Sequence, residues 1–184
     1  MMLVSGGDRA AYGVLVDRHA DRMIRMAQRT VGSRQDAEDI VQDAFIRIWT
    51  HAGQWEPGRA KFTTWSYRIV MNRCIDQQRR PRSEPLGDID ERPDPTPDAM
   101  ESLYRTQMAQ HVATAMAGLP VNQRAAIALC YYEELSNIEA AEILSVTVGA
   151  VESLLVRGRR QLREALQVHL TTHEGSSGGG RYDA

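Results

Sequence analysis

The stretch LSNIEAAEILSVTVGAVESLLVRGRRQLREAL, residues 135–166, carries two helix starts about eleven residues apart, too close for anything but a tight helix-turn-helix. Ser136 can cap the first helix, and Glu139, three residues on, can answer the Ser136 amide, which is the reciprocal pattern of a capping box. Ser145, Val146 and Thr147 then break the periodicity. Thr147 can cap a second helix whose apolar positions Val151, Leu154, Leu155, Gly158, Leu162 and Leu166 recur at helical spacing. The opposite face holds Gly149, Glu152, Ser153, Val156, Arg157 and Arg160, and four arginines fall within residues 157–163. A short polar face followed by cations suits a helix that reads a major groove while holding phosphates.

Working outward, residues 99–117 and 121–133 read as two more helices, with Gly118 and Pro120 as stop and start between them. Residues 81–98, PRSEPLGDIDERPDPTPD, contain five prolines and many acids, a composition that predicts a semi-rigid acidic tether. Before it, residues 1–80 predict three helices: one over 8–31 ending at Gly32, one capped by Ser33, and one after the Gly53, Pro57 and Gly58 loop. The second carries the apolar series Ala37, Ile40, Val41, Ala44, Phe45, Ile48 without a miss. The tail, residues 171–184, is rich in glycine and serine and is expected to be disordered. No alternating strand pattern occurs, so the fold class is all-α. Two small helical domains, 1–80 and 99–170 with the helix-turn-helix at 136–166, are joined by the linker.

Two surfaces are left over once these cores are filled. On the second helix Asp39, Gln42, Asp43 and Ile46 fall opposite the apolar stripe, an acidic face with an exposed isoleucine that suits docking by another protein's basic helices. The plain alternative is a solvated face with one stray apolar residue. On the third helix Tyr67, Val70, Met71, Cys74, Ile75 and Gln78 share one side, and Trp65, Arg68, Ile69, Asn72, Asp76 and Arg79 the other. With Trp55 and Phe62 in and just after the loop, and Lys61, Arg73 and Arg80 nearby, this is a basic surface interleaved with aromatics. Such surfaces hold unpaired strands, rings stacking on bases while cations follow the backbone. Tyr67 and Trp49 read more simply as core aromatics, whereas the helical phase of Trp65 turns it outward.

The formal charge of −2 hides this distribution. Residues 1–80 hold 13 basic and 9 acidic side chains, residues 81–100 hold 2 and 6, and residues 101–184 hold 7 and 9. Positive charge is concentrated in 61–80 and 157–163, where local phosphate contacts would need it. No apolar run is long enough for a membrane span, the N-terminus lacks a signal-peptide pattern, and a cytoplasmic location is expected. Cys74 and Cys130 form no paired motif and read as small buried hydrophobes. His169 and His173 have i, i+4 spacing but lie at a fraying end, so no metal site is expected. No paired carboxylates, activated nucleophile or phosphate loop stands out; neither an enzyme nor a cofactor is expected.

DAEDIVQDAFIRIW, KFTTWSYRIVMNRCIDQQRR and the 119–163 stretch running from Leu119 and Pro120 through the helix-turn-helix resemble, in this order and spacing, the extracytoplasmic-function sigma factors, the minimal two-domain specificity subunits of bacterial RNA polymerase. The resemblance covers residues 8–168 and implies sigma region 2 before the linker and region 4 after it. It implies that Asp39, Gln42, Asp43 and Ile46 contact the clamp helices of core RNA polymerase, with the flap as a second contact of the core enzyme. It implies that Trp55, Lys61, Trp65, Asn72 and the 54–61 loop read a melted minus 10 element, one base extruded into a pocket, while Arg68, Arg73, Arg79 and Arg80 hold phosphates. Thr147, Gly149, Glu152, Ser153, Val156, Arg157 and Arg160 would read the minus 35 element in duplex form. An anti-sigma factor would hold the chain inactive until a stress signal, with no membrane insertion. Many family members carry a basic residue where this chain has Glu152, and often arginine where it has Leu154; a glutamate can accept from a cytosine amino group, so an unusual minus 35 preference is expected. Two other classes remain open on the residues alone: a ligand-responsive dimeric helix-turn-helix regulator, which would bind a twofold duplex site by itself, and a helical protein-interaction module.

Overall fold

A computed structural model describes residues 1–55, 58, 61–79 and 99–174, with backbone only for 99–106 and 168–174. The linker and Arg80 lie outside the described residues. A short α1 (Met2–Ser5), which the sequence reading did not anticipate, precedes α2 (Arg9–Val31). Asp8 caps α2 by accepting from the Ala11 amide, and Gly32 closes it in the left-handed conformation, with φ at 82°, that a glycine adopts without steric cost. Ser33 then caps α3 (Arg34–Thr50), where Asp36 sits in the first turn against the positive end of the helix dipole. All six positions of the apolar series on α3 are buried. They pack with Met23, Met26 and Val31 of α2 and with Tyr67, Val70, Met71 and Cys74 of α4 (Phe62–Arg79). The Tyr12 hydroxyl donates to the Phe45 carbonyl at 2.9 Å, and the Tyr12 ring lies 4.9 Å from Trp49, so Trp49 is half-buried against α2.

The second half comprises α5 (Ala99–Ala117), α6 (Val121–Ile127), a five-residue π turn (Ala128–Tyr132), α7 (Asn137–Leu144) and α8 (Val148–Glu174). The single helix expected over 121–133 is thus divided: the Glu133 amide reaches back to the Ala128 carbonyl at 3.1 Å, a one-turn widening too short to alter apolar periodicity. Cys130, expected to be buried, is only half-buried at this turn. Helix α8 runs through Glu174, four residues into the segment expected to be disordered from residue 171. No helix among the described residues is long and apolar enough to cross a membrane.

The helix-turn-helix forms as its caps dictate. The Ser136 hydroxyl accepts from the Glu139 amide at 3.2 Å while the Glu139 carboxylate accepts from the Ser136 amide at 3.1 Å. Ser145 turns the chain at a left-handed φ of 56°, and the Thr147 hydroxyl accepts from the Ala150 amide at 3.2 Å to start α8. Val151, Leu155 and Gly158 face inward. Gly158 is there because α6 passes close by: a β-carbon at this position would lie 2.8 Å from Ile127 Cδ1 and 3.5 Å from Gln123 Cβ.

The two halves are docked on each other, a finding the reading of a tether between independent domains did not contain. Helix α4 packs on α7, and α2 packs on α6 and the π turn, so the buried core runs continuously across both halves. Because an added methyl at Gly158 displaces only the tip of Ile127 whereas a branched chain displaces α6 itself, Gly158→Leu should destabilise the chain by about 2–3 kcal/mol, measured by urea denaturation.

Candidate nucleic-acid interface

Helix α4 sorts its side chains by phase. Tyr67, Val70, Met71 and Cys74 are buried, Arg68, Asn72, Asp76 and Arg79 are exposed in one line, and Trp65 and Ile69 are half-buried at the boundary. Trp65 therefore does not stand free: it leans on Phe62, ring centroids 6.3 Å apart, and walls a polar cavity of about 390 Å3. Ile69, Asn72, Arg73 and Asp76 of α4 form the rest of that wall, and Arg47, His51 and Gln54 close it from the end of α3 and the following 3-10 turn Ala52–Gln54. The His51 ring is fixed by contacts of Nδ1 with Thr50 Oγ1 at 2.9 Å and the Arg47 carbonyl at 3.0 Å. Arg47 and His51 were not singled out from the sequence. Their signal was present in spacing, since Arg47 lies one turn after Asp43 on the same face of α3.

Two of the residues expected to meet DNA here have protein partners, and a third is partly buried. Arg73 pairs with Asp43 across α3 and α4, which joins a residue expected on phosphates to one expected on the polymerase. Lys61 lies 3.4 Å from the Glu139 carboxylate of α7. Trp55 is half-buried, and its indole nitrogen is buried without a hydrogen-bond partner among the described residues. Asp39, Gln42, Asp43 and Ile46 all lie on the exposed side of α3, with Ile46 56% exposed.

On α8 the face opposite the core is open to solvent. Gly149, Glu152, Ser153, Val156, Arg157 and Arg160 are exposed, as is Thr147 at the cap. Val156 is 58% exposed in the middle of this face, an apolar group that can meet a thymine methyl. Arg157 lies back along the helix with Nε 3.1 Å from the Ser153 carbonyl, and Arg160 stands 3.9 Å from Glu164. Thr147 contributes through its cap, which directs the N-terminal turn of α8 outward. The Glu139 carboxyl is held below the usual range by the Ser136 backbone amide, then by the Ser136 hydroxyl and by Lys61. The capping box therefore stabilises the fold above the ordinary carboxylate pKa and loses that contribution as the pH falls through the lowered value.

Burial pushes the Cys74 thiol up to about 12 and raises that of Cys130, so neither resembles an activated thiolate. No cluster of three metal-binding side chains occurs among the described residues.

A helical domain with an exposed acidic face on α3 and a polar, aromatic-walled cavity is followed by a helix-turn-helix whose second helix is open to solvent on the side away from the core, a two-part arrangement in one chain. Residues 15–84 match the family Sigma-70 region 2, and residues 110–162 match Sigma-70, region 4. The chain is 33% identical over 181 residues to the ECF RNA polymerase sigma factor SigW of Bacillus subtilis, covering 89% of this chain and 93% of that one. It is 38% identical over 170 residues to SigE of Mycolicibacterium smegmatis, covering 89% of this chain and 65% of the longer relative. Among solved structures, CnrH in complex with the cytosolic domain of CnrY superposes with a TM-score of 0.66 at 28% identity, over 91% of this chain and 94% of that one. The chain belongs to the ECF RNA polymerase sigma factors.

Since Asp43 and Arg73 are both partly exposed, their pair is a positioning contact and not a main source of stability. A double-mutant cycle of Asp43→Ala and Arg73→Ala, read by denaturant unfolding, should give a coupling of about 0.2–1 kcal/mol.

Proposed function

We propose that this chain is an alternative sigma factor that binds core RNA polymerase, captures a melted minus 10 element on α4 and reads a minus 35 duplex with α8. The observation that carries this reading is the pairing of two unlike sites in one chain. The cavity beside Trp65 and Asn72 is walled by an aromatic ring and polar groups, as an extruded base requires, whereas α8 presents a convex polar face suited to a groove. Asn72 is the proposed base reader, since its amide offers both donors and acceptors. Arg68 and Arg79, exposed on the same line of α4, are proposed phosphate contacts, with Arg80 following them in sequence. Arg73, already paired with Asp43, is proposed to position α4 and to contribute less to phosphate binding.

Asp39, Gln42 and Ile46, with Asp43, are the proposed clamp-helix contacts, and a second contact on the flap would hold the region 4 half. On α8, Ser153, Val156, Arg157 and Arg160 are proposed minus 35 readers, with Gly149 and the Thr147 cap allowing close approach to phosphate. Glu152 beside them favours a cytosine amino group and disfavours nearby phosphates, which shifts the preferred element. The chain performs no covalent chemistry: its binding free energy goes into melting the promoter. The site of action is the cytoplasm. An anti-sigma factor covering the polymerase-binding surfaces would hold it inactive until a stress signal; the similar CnrH is found in complex with the cytosolic domain of CnrY.

Run-off transcription with core polymerase on a randomised promoter library is the direct test. Promoter-specific transcripts above core alone are expected, and their absence would sink the reading. Within that assay Asn72→Ala should relax selection at one minus 10 position. Arg79→Ala should weaken binding about equally across sequences and reduce the salt slope by about 1. Equal effects of both changes on all promoters would contradict the assignment. A twofold operator bound tightly by the chain alone would instead identify a dimeric regulator.

A further inference from the structure

A cleft of about 320 Å3 opens between α2, α5 and α6, and none of the residues lining it is among the proposed DNA or clamp-helix contacts. Helix α5 gives it two neighbouring rows at a four-residue repeat. Ala109, Ala113 and Ala117 have short side chains that leave the space, and Met108, Val112 and Met116 line it with apolar surface. The methionines are unbranched and can reshape around a guest.

The other side of the cleft is cationic. Arg29 of α2 and Arg124 of α6 both line it, and no carboxylate does so among the described residues. The Arg29 guanidinium stands 4.2 Å from the centre of the Tyr132 ring, which also lines the cleft, and it makes no ion pair with any described residue. Arg124 is only 5% exposed and donates to the neutral Gln78 side chain at 3.3 Å, so its charge lies where a neighbouring anion is weakly screened. Ligand sites have this form: roughly 300–1,000 Å3, mostly apolar walls and a few placed polar groups.

We propose that this cleft binds a small amphipathic anion, a carboxylate carried on an apolar chain, with the chain against Met108, Val112 and Met116 and the carboxylate held by Arg29 and Arg124. Such a ligand answers both sides at once. Its carbon atoms leave water against α5, and its charge gains the forked, charge-assisted hydrogen bonds for which a guanidinium is shaped. A neutral chain of the same length leaves the arginines unanswered, and a cation is repelled. The acidic segment 81–98 matches the charge as well but suits the apolar wall poorly. It carries two large aliphatic side chains, Leu86 and Ile89, and Asp88 and Asp90 directly beside Ile89 would have to shed water to follow it in. A site of this kind gives the chain a chemical input separate from any protein partner.

Titration calorimetry on the full chain with octanoate, octan-1-ol and octylammonium, at matched ionic strength, tests this. Octanoate should bind at least about tenfold more tightly than either of the others, the worth of a hydrogen bond to a charged group. Arg29→Gln should weaken octanoate about tenfold and leave octan-1-ol within about twofold. Ala113→Phe fills the space from α5 without removing a charge and should abolish octanoate binding in a chain shown by urea denaturation to be folded. Equal binding of the three probes, no octanoate binding at millimolar concentration, or octanoate binding unchanged by both substitutions would overturn the proposal. Octanoate binding that appears only after Leu86 and Ile89 are both replaced by Ser would assign the cleft to residues 81–98 and overturn it too. None of these readouts involves transcription, so the site and the sigma reading stand or fall separately.

Discussion

A carboxylate removed from water must find cationic or hydrogen-bonding partners, and Glu133 finds both on the far side of the linker, in Arg22 and Tyr67. That requirement is met only with the two halves docked. Tyr67 belongs to the buried side of α4, where it packs with Val70 and Met71, and its ring carries a hydroxyl out of the first core to the edge of the second. Burial, the hydrogen bond to Glu133 and the negative charge there together raise its pKa, which keeps the hydroxyl protonated and donating. The Arg22 charge is held in place in turn, chiefly by its hydrogen bond to Glu133. Packing of α4 on α7 then brings the first helix of the helix-turn-helix onto the helix proposed to receive melted DNA.

Electrostatics is organised at the scale of helix faces, which is why the net charge of −2 says little about DNA. The exposed line Arg68, Asn72, Asp76 and Arg79 is separated from the acidic side of α3 by the Arg73–Asp43 pair. That pair neutralises one charge of each sign between two surfaces proposed to meet different partners. At physiological ionic strength such fields decay within about 8 Å, so neighbouring faces can differ in sign without cancelling. On α8 the same reasoning applies to Glu152, exposed like Arg157 and Arg160, which in the proposed reading would subtract from their attraction to phosphate while adding an acceptor for base edges.

Much of the fold could be read from residues because helices announce themselves locally. The Ser33 and Ser136 caps, the left-handed Gly32, and the apolar series on α3 each depend on neighbours within a turn or two, and each occurs where periodicity placed it. The family was legible for the same reason: two of its motifs fall on α3 and α4, and the third runs through consecutive helices joined by short turns. The π turn at Ala128–Tyr132 and the half-buried state of Cys130 were not legible, since one widened turn leaves the spacing of apolar residues almost unchanged. The cavity beside Asn72 was legible on its α4 side and at Gln54, the first residue of the 54–61 loop. Arg47 and His51 join it from the end of α3, and no spacing within α4 points to them.

The sequence by itself therefore determined which residues form helices, which side of each is apolar, and which side chains are left over to meet partners, because those properties follow from backbone hydrogen bonding and a 3.6-residue repeat. Tertiary structure alone decided who meets whom across the linker: Glu133 with Arg22 and Tyr67, Lys61 with Glu139, Arg73 with Asp43. Glu133 reads as one more acid at a helix end until a tyrosine sixty-six residues away is found beside it. Such pairings turn on the relative placement of whole helices, set by the summed burial of many apolar side chains, and no local pattern encodes that sum.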